Sequence, residues 1–221
     1  MTTLTTPPVG PLLDRLFEEA SATSPMDNPA LAALAGGDHA RLMRSKTDYL
    51  DFYGHLKDYP LAVSRETGLL LYMLARSLKA RTVVEFGTSF GLSTLCLASA
   101  LRDNGGGVVI TSEFEPSKAA RARANLTAGG LIDLVEIREG DALQTLSIDL
   151  PETIDLLLLD GAKALYSDIL DRVESRLRPG ALIVADNADY CPEYLERVRA
   201  PDGGYLSTPF AEDVELSMRV G

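Results

Sequence analysis

Two short stretches of this 221-residue chain carry acids in positions suited to chemistry: Leu159-Asp160-Gly161-Ala162-Lys163 and Val184-Ala185-Asp186-Asn187. Each aspartate ends an apolar run that reads as a buried strand. If the two strands are neighbours, their ends lie about 4.8 Å apart in the sheet and the side chains converge. Carboxylates forced together repel unless one is protonated or a cation lies between them. The carboxamide of Asn187 adds a third oxygen, and an all-oxygen set with few charges suits Mg²⁺ better than Zn²⁺. A divalent cation held by Asp160, Asp186 and Asn187 would bind two adjacent oxygens of a small hydroxylated molecule and lower the pKa of a bound hydroxyl. Lys163, three residues after Asp160, is placed to take that proton as general base, its own pKa depressed by nearby cations. Either aspartate alone reads equally well as a helix cap. Their joint occurrence with Asn187 favours the metal.

Upstream, Val83-Val84-Glu85-Phe86-Gly87-Thr88-Ser89-Phe90-Gly91-Leu92-Ser93 runs from a buried strand through a glycine-rich turn into a helix. Glycine at 87 and 91 lets the backbone turn tightly and approach a ligand where a Cβ would clash, with the amides of Thr88 and Ser89 directed outward. Phe86 and Thr88 break the G-x-G-x-x-G spacing of a dinucleotide fingerprint. Glu85 instead stands two residues before the first glycine, and its carboxylate would repel phosphate and attract an ammonium or sulfonium. The cofactor so indicated is S-adenosylmethionine. An ordinary tight turn between strand and helix is the plainer alternative.

The next strand ends in Glu113, and an acid at that distance beyond such a turn accepts hydrogen bonds from ribose hydroxyls. As a bland alternative, Glu113 is a solvated strand end. Gly140-Asp141-Ala142 follows the third strand and offers a carboxylate and an amide to an adenine edge. The expected cofactor contacts are thus Glu85, Gly87, Thr88, Ser89, Gly91, Ser93, Glu113, Asp141, Ala142 and Asp160.

A helix over about 65–78 and strands near 82–86, 108–112, 134–138, 154–159 and 181–185, separated by helical stretches, position these residues. That alternation predicts a parallel sheet with helices on both faces and right-handed crossovers. The segments 203–206 and 214–220 read as a terminal antiparallel pair. The fold class expected is α/β, a Rossmann-like, doubly wound, seven-stranded and mostly parallel sheet with an antiparallel C-terminal strand. It occupies 61–221 and follows a helical extension or cap over 1–60. Within that extension, residues 1–10 read as disordered, and Leu12, Leu13, Leu16 and Phe17 mark an amphipathic helix. A second short helix is expected over Pro29 to Ala35. The aromatic-rich stretch 38–59 is either a helix over the core or a lid on the substrate. Arg41, Arg44 and Lys46 form a solvated face or meet an anionic substrate.

A net charge of −11 disfavours docking on a nucleic-acid backbone, where Lys and Arg must replace counterions. Two cysteines, Cys96 and Cys191, supply neither a disulfide framework nor a metal cluster, which fits a reducing cytoplasm. Cys96 reads as core packing. The start of the chain lacks the pattern of a secretion signal and no segment has the apolar length of a membrane span, so a soluble cytoplasmic protein without a membrane partner is expected. The only histidines, His39 and His55, do not suffice for a histidine metal site or a Ser-His-Asp triad, and each reads as a surface or packing residue.

With these residues in place, the chain resembles class I S-adenosylmethionine-dependent O-methyltransferases of the cation-dependent kind, the group of catechol and caffeoyl-CoA O-methyltransferases. The resemblance runs from about Val63 to the C-terminus. Glu85 to Gly91 looks like the family's cofactor turn, Glu113 like its ribose-binding acid, and Asp160 with Asp186-Asn187 like its metal triad. Lys163 matches its catalytic lysine, and Val63 with Ser64 looks like the segment that packs on the methionine end of the cofactor. The resemblance implies methyl transfer to a hydroxyl of a small, catechol-like acceptor, and a homodimer. Where relatives often carry Asp-Gly before the last strand, this chain reads Glu212-Asp213-Val214, and residues 1–60 do not align securely with the family. A metal-independent methyltransferase of the same fold, an NAD-dependent oxidoreductase and a non-catalytic adenosyl-binding module are the rivals. Amino-methylating enzymes of this fold end strand four in Asn/Asp-Pro-Pro-aromatic, unlike Asp160-Gly161-Ala162-Lys163. A mere binder would not require Lys163 and the oxygen triad.

Overall fold

A computed structural model describes residues 1–32, 38–210 and 213–221. Its strands are β1 (Thr82–Phe86), β2 (Val108–Glu113), β3 (Val135–Glu139), β4 (Ile154–Leu159), β5 (Leu177–Ala185), β6 (Tyr205–Phe210) and β7 (Val214–Arg219). They form one sheet in the order β3-β2-β1-β4-β5-β7-β6. β1 to β5 pair in parallel, while β7 runs antiparallel to both β5 and β6. The strand order reverses between β1 and β4, the crevice where ligands of open α/β sheets bind at the carboxyl ends of the strands.

The helices are α1 (Val9–Ser21), α2 (Pro29–Ala32), α3 (Asp38–Met43), α4 (Tyr49–Gly54), α5 (Arg65–Ser77), α6 (Leu92–Asp103), α7 (Pro116–Ala128), α8 (Ala142–Thr145), α9 (Tyr166–Val173) and α10 (Pro192–Arg199). Alternate strand residues feed two cores. Val83, Val109, Leu156 and Val184 pack with α1, α5, α6 and α7 on one face, and Val84, Ile110, Leu157 and Ile183 pack with α8, α9 and α10 on the other. The register that pairs Val83 with Leu156 and Val84 with Leu157 keeps each set on its own side. α6 is buried from Leu92 to Leu101, as a helix apolar on every side must be. Cys96 packs there, and burial pushes its thiol up to about 12. No helix among the described residues is long and apolar enough to cross a membrane.

The extension differs from its sequence reading in two ways. Residues 1–10 are ordered: Thr3–Thr5 forms a 3₁₀ turn, Leu4 and Val9 are buried in the first core, and α1 already begins at Val9. The amide and hydroxyl of Thr3 donate to the Asp103 carboxylate at 3.0 and 2.6 Å, closing the end of α6. These anchors lie a hundred residues away in sequence, which is why local polarity read as disorder. The aromatic stretch 38–59 is two short helices, α3 and α4, whose buried Phe52 shares a separate small cluster with Leu31 and Leu56. Of the helix expected over 29–35, Pro29–Ala32 is observed and 33–35 lies outside the described residues.

Candidate active site

Successive backbone bonds set the two aspartates in step. The Asp160 amide donates to Phe86 O, and the Asp186 amide donates to Leu159 O, each at 2.9 Å, so each acid stands one residue past its strand and is held by the last carbonyl next door. Gly87 has φ +101°, and a Cβ there would lie 2.7 Å from the Asp160 backbone, so only glycine lets these two loops cross.

Neither aspartate caps a helix. Asp160 Oδ1 lies 2.8 Å and Asp186 Oδ2 3.8 Å from the ammonium of Lys163; Lys163 and Asp186 are buried and Asp160 is partly exposed. The two carboxyls stand close enough to act on each other, and the charge of Asp160 makes ionisation of Asp186 harder. Burial and then the Asp160 charge push Asp186 up to about 7, and burial likewise raises Asp160. The neutral-range pKa expected for Lys163 is not supplied by these residues. Burial lowers it, but Asp160, Tyr166, Asp186 and Tyr53 together hold it well above the ordinary lysine value.

Asn187 completes the group. Its φ of +49° is left-handed, a conformation asparagine tolerates better than most residues. Its Nδ2 donates to Asp213 Oδ2 at 2.9 Å, which leaves Oδ1 as its open acceptor. Asp160, Lys163, Asp186 and Asn187 line one cavity together. Among the described residues no three His, Cys, Asp or Glu side chains cluster as a metal site. The set here is two carboxylates and a carboxamide, and the repulsion between the two acids marks a place where a hard divalent cation would bring relief. The donor chemistry therefore fits such a cation.

A second cavity opens over the glycine turn and is lined by Gly87, Ser89, Glu113, Asp141, Ala142 and Asp160, among others. Glu113 is buried and not a solvated strand end; its carboxylate accepts from the Ser89 amide at 2.8 Å and the Glu115 amide at 3.0 Å. Burial raises its pKa against those amides. Asp141 accepts from the Leu143 amide at 2.9 Å and caps α8.

The turn's amides are spent inside the protein: Thr88 donates to Ser112 O at 3.3 Å and Ser89 to Glu113, instead of pointing outward. The Thr88 hydroxyl bonds that of Thr111. Glu85, fully buried, accepts from Ser93 and Thr94 hydroxyls at 2.6 Å each, and burial raises its pKa. The carboxylate expected to meet a sulfonium instead ties β1 to the first turn of α6. Gly91 starts that helix with φ +84°. Val63 lines neither cavity but a groove with Phe17 and Ala20, while Ser64 caps α5 by accepting from the Thr67 amide.

Tyr53, Leu61 and Asp160 border both cavities and form the partition between them. Tyr53 comes from α4, so the aromatic stretch covers the site as well as packing. The sequence reading missed His39, which lines the cavity of the aspartates with its ring edge-on to Phe52 at 5.5 Å between centroids. It missed Tyr166 too, whose hydroxyl donates to Asp186 O at 2.6 Å. Its place seven residues behind a strand end gave no local signal. Arg41, Arg44 and Lys46 are paired at the surface, Lys46 with Asp168 at 2.8 Å and Glu193 at 3.2 Å.

Residues 84–188 match a family model described as a methyltransferase domain. A catechol O-methyltransferase of Mycobacterium tuberculosis is 37% identical over 162 residues, covering 73% of this chain and 66% of that protein. One from Niastella koreensis is 37% identical over 130 residues, 58% of each. The chain thus spans less than two thirds of the length of these curated relatives. Among solved structures, an O-methyltransferase from Streptomyces achromogenes involved in tomaymycin synthesis, in complex with S-adenosylmethionine, aligns at a TM-score of 0.63 with 26% identity, covering 92% of this chain and 99% of that one.

Proposed function

We propose that the chain is an S-adenosylmethionine-dependent O-methyltransferase of the catechol and caffeoyl-CoA group, which transfers a methyl group to a hydroxyl of a small, catechol-like acceptor, assisted by a divalent cation. The observation that carries this reading is the position of Asp160, on the border of both cavities and 2.8 Å from Lys163. The cavity over the glycine turn is the place for the cofactor, with Glu113 facing its ribose and Asp141 and Ala142 its adenine. The other takes the acceptor.

When bound, S-adenosylmethionine supplies an electrophilic methyl carbon on a positively charged sulfur. A divalent cation, held by Asp160, Asp186 and Asn187, supplies Lewis acidity at an acceptor hydroxyl. Lys163 takes the hydroxyl proton at Nζ. To do so it must first be the neutral amine, which the uncompensated charge of its two aspartates opposes. Neutralising those carboxylates is therefore a condition for the base role. Tyr166 holds the Asp186 backbone in place. Met43, Phe52 and Tyr53 give the acceptor cavity apolar walls that exclude water and favour a flat ring over a charged chain.

The test is transfer of label from S-adenosylmethionine to a panel of catechols and hydroxycinnamoyl esters, with and without EDTA. The expected result is transfer that stops on chelation and returns with Mg²⁺. Transfer indifferent to EDTA would take the cation out of the mechanism.

A further inference from the structure

Lys118 is a buried cation that the proposed reaction leaves unused. It stands in the first turn of α7, is 4% exposed, and lines the cavity over the glycine turn beside Glu113. Among the described residues its ammonium makes no hydrogen bond and no close ion pair; Glu113, Glu115, Asp160 and Asp58 act on it only through space. The Phe90 ring, 5.9 Å from Nζ, covers one side.

This is a poor place for a lysine on structural grounds alone. Burial without hydrogen bonds is costly for a charge, and the first turn of a helix repels cations through its dipole. Burial holds Lys118 down to about 8, against the pull of the acids. A methionine would fill the same space without either penalty.

The neighbouring Glu113 explains what such a donor is for. Its two oxygens already accept the Ser89 and Glu115 amides, and a carboxylate only accepts. A ribose hydroxyl that donates to Glu113 still presents its own lone pairs to the cavity. We propose that Lys118 donates to that hydroxyl oxygen, so that carboxylate and ammonium together read the vicinal diol of the cofactor's ribose. This rests on the reading that the cavity holds S-adenosylmethionine.

The experiment is calorimetric titration of S-adenosylhomocysteine and of its 2′-deoxy and 3′-deoxy analogues into the wild type, K118M and K118R. K118M is expected to weaken the intact ligand about tenfold, the scale of a charge-assisted hydrogen bond, and K118R to stay within about threefold. The penalty for deleting one of the hydroxyls is expected to fall from about tenfold in the wild type to under about twofold in K118M, the signature of a direct partner. K118M should also melt at or above the wild type, and K118Q carries the same cycle if K118M does not fold. An unchanged affinity in K118M, or equal losses for intact and deoxy ligands, would overturn the lysine's role and leave the cofactor reading standing. A wild type that binds none of the three ligands would overturn both.

Discussion

The two sides of the site are built differently. The cofactor side and its aspartates hang from the ends of central strands, where each loop is fixed by the last carbonyl of the neighbouring strand and the side chains are bonded within the protein. The acceptor side is closed by α3 and α4, short helices with a small core of Leu31, Phe52 and Leu56 and with exposed ion pairs such as Lys46 with Asp168 and Glu193. Exposed pairs contribute little to stability. In the proposed reaction, chemistry is thus set by the sheet, and acceptor choice by a thinner layer that tolerates change. Such layering keeps a rigid frame under a replaceable wall.

The largest effect that probes this division is expected from Lys163→Ala. Because Lys163 borders only the acceptor cavity, turnover should fall by about 10²- to 10⁴-fold, the range of general-base catalysis, with S-adenosylhomocysteine affinity within about twofold. A parallel loss of cofactor affinity would break the division. Smaller is the pH response of the aspartates. Asp186 is raised to about 7, so below that pH a divalent cation must displace a proton to bind. Mg²⁺ affinity measured by calorimetry should rise about tenfold per pH unit up to about 7 and level off above it. Affinity independent of pH would show that Asp186 is not a ligand. The smallest effect is expected from Met43→Ala; Met43 lines the acceptor cavity and its sulfur accepts the Tyr53 hydroxyl at 3.4 Å. It should raise the acceptor KM about fivefold, as loss of a few buried methylenes does, without moving cofactor binding. Equal effects on both would mean that the wall and the sheet are mechanically one.

The same division governs what could be read from the chain. Val83 to Leu92, Glu113, and the two aspartates are legible because strand, glycine and acid follow one another within a few residues, and alternation of elements fixes which strand ends meet. Glu85 misled because the spacing gives its place on β1 but not its direction: Ser93 and Thr94, in the first turn of α6, capture both oxygens. His39, Met43 and Tyr166 join the site only through tertiary packing, with no motif around them. Lys163 was legible in position and not in charge, since its pKa depends on how deeply Asp160 and Asp186 are buried beside it.

The anchoring of Thr3 on Asp103 gives the start of the chain two unequal directions of change. Met1 is fully solvent-exposed, so a fusion placed ahead of it extends into open water. Trimming the first nine residues is another matter: it removes Leu4 and Val9 from the main core and strips Asp103 of the Thr3 donors, while the Tyr72 hydroxyl still donates to it at 2.6 Å. Tags belong in front of this segment, never in its place.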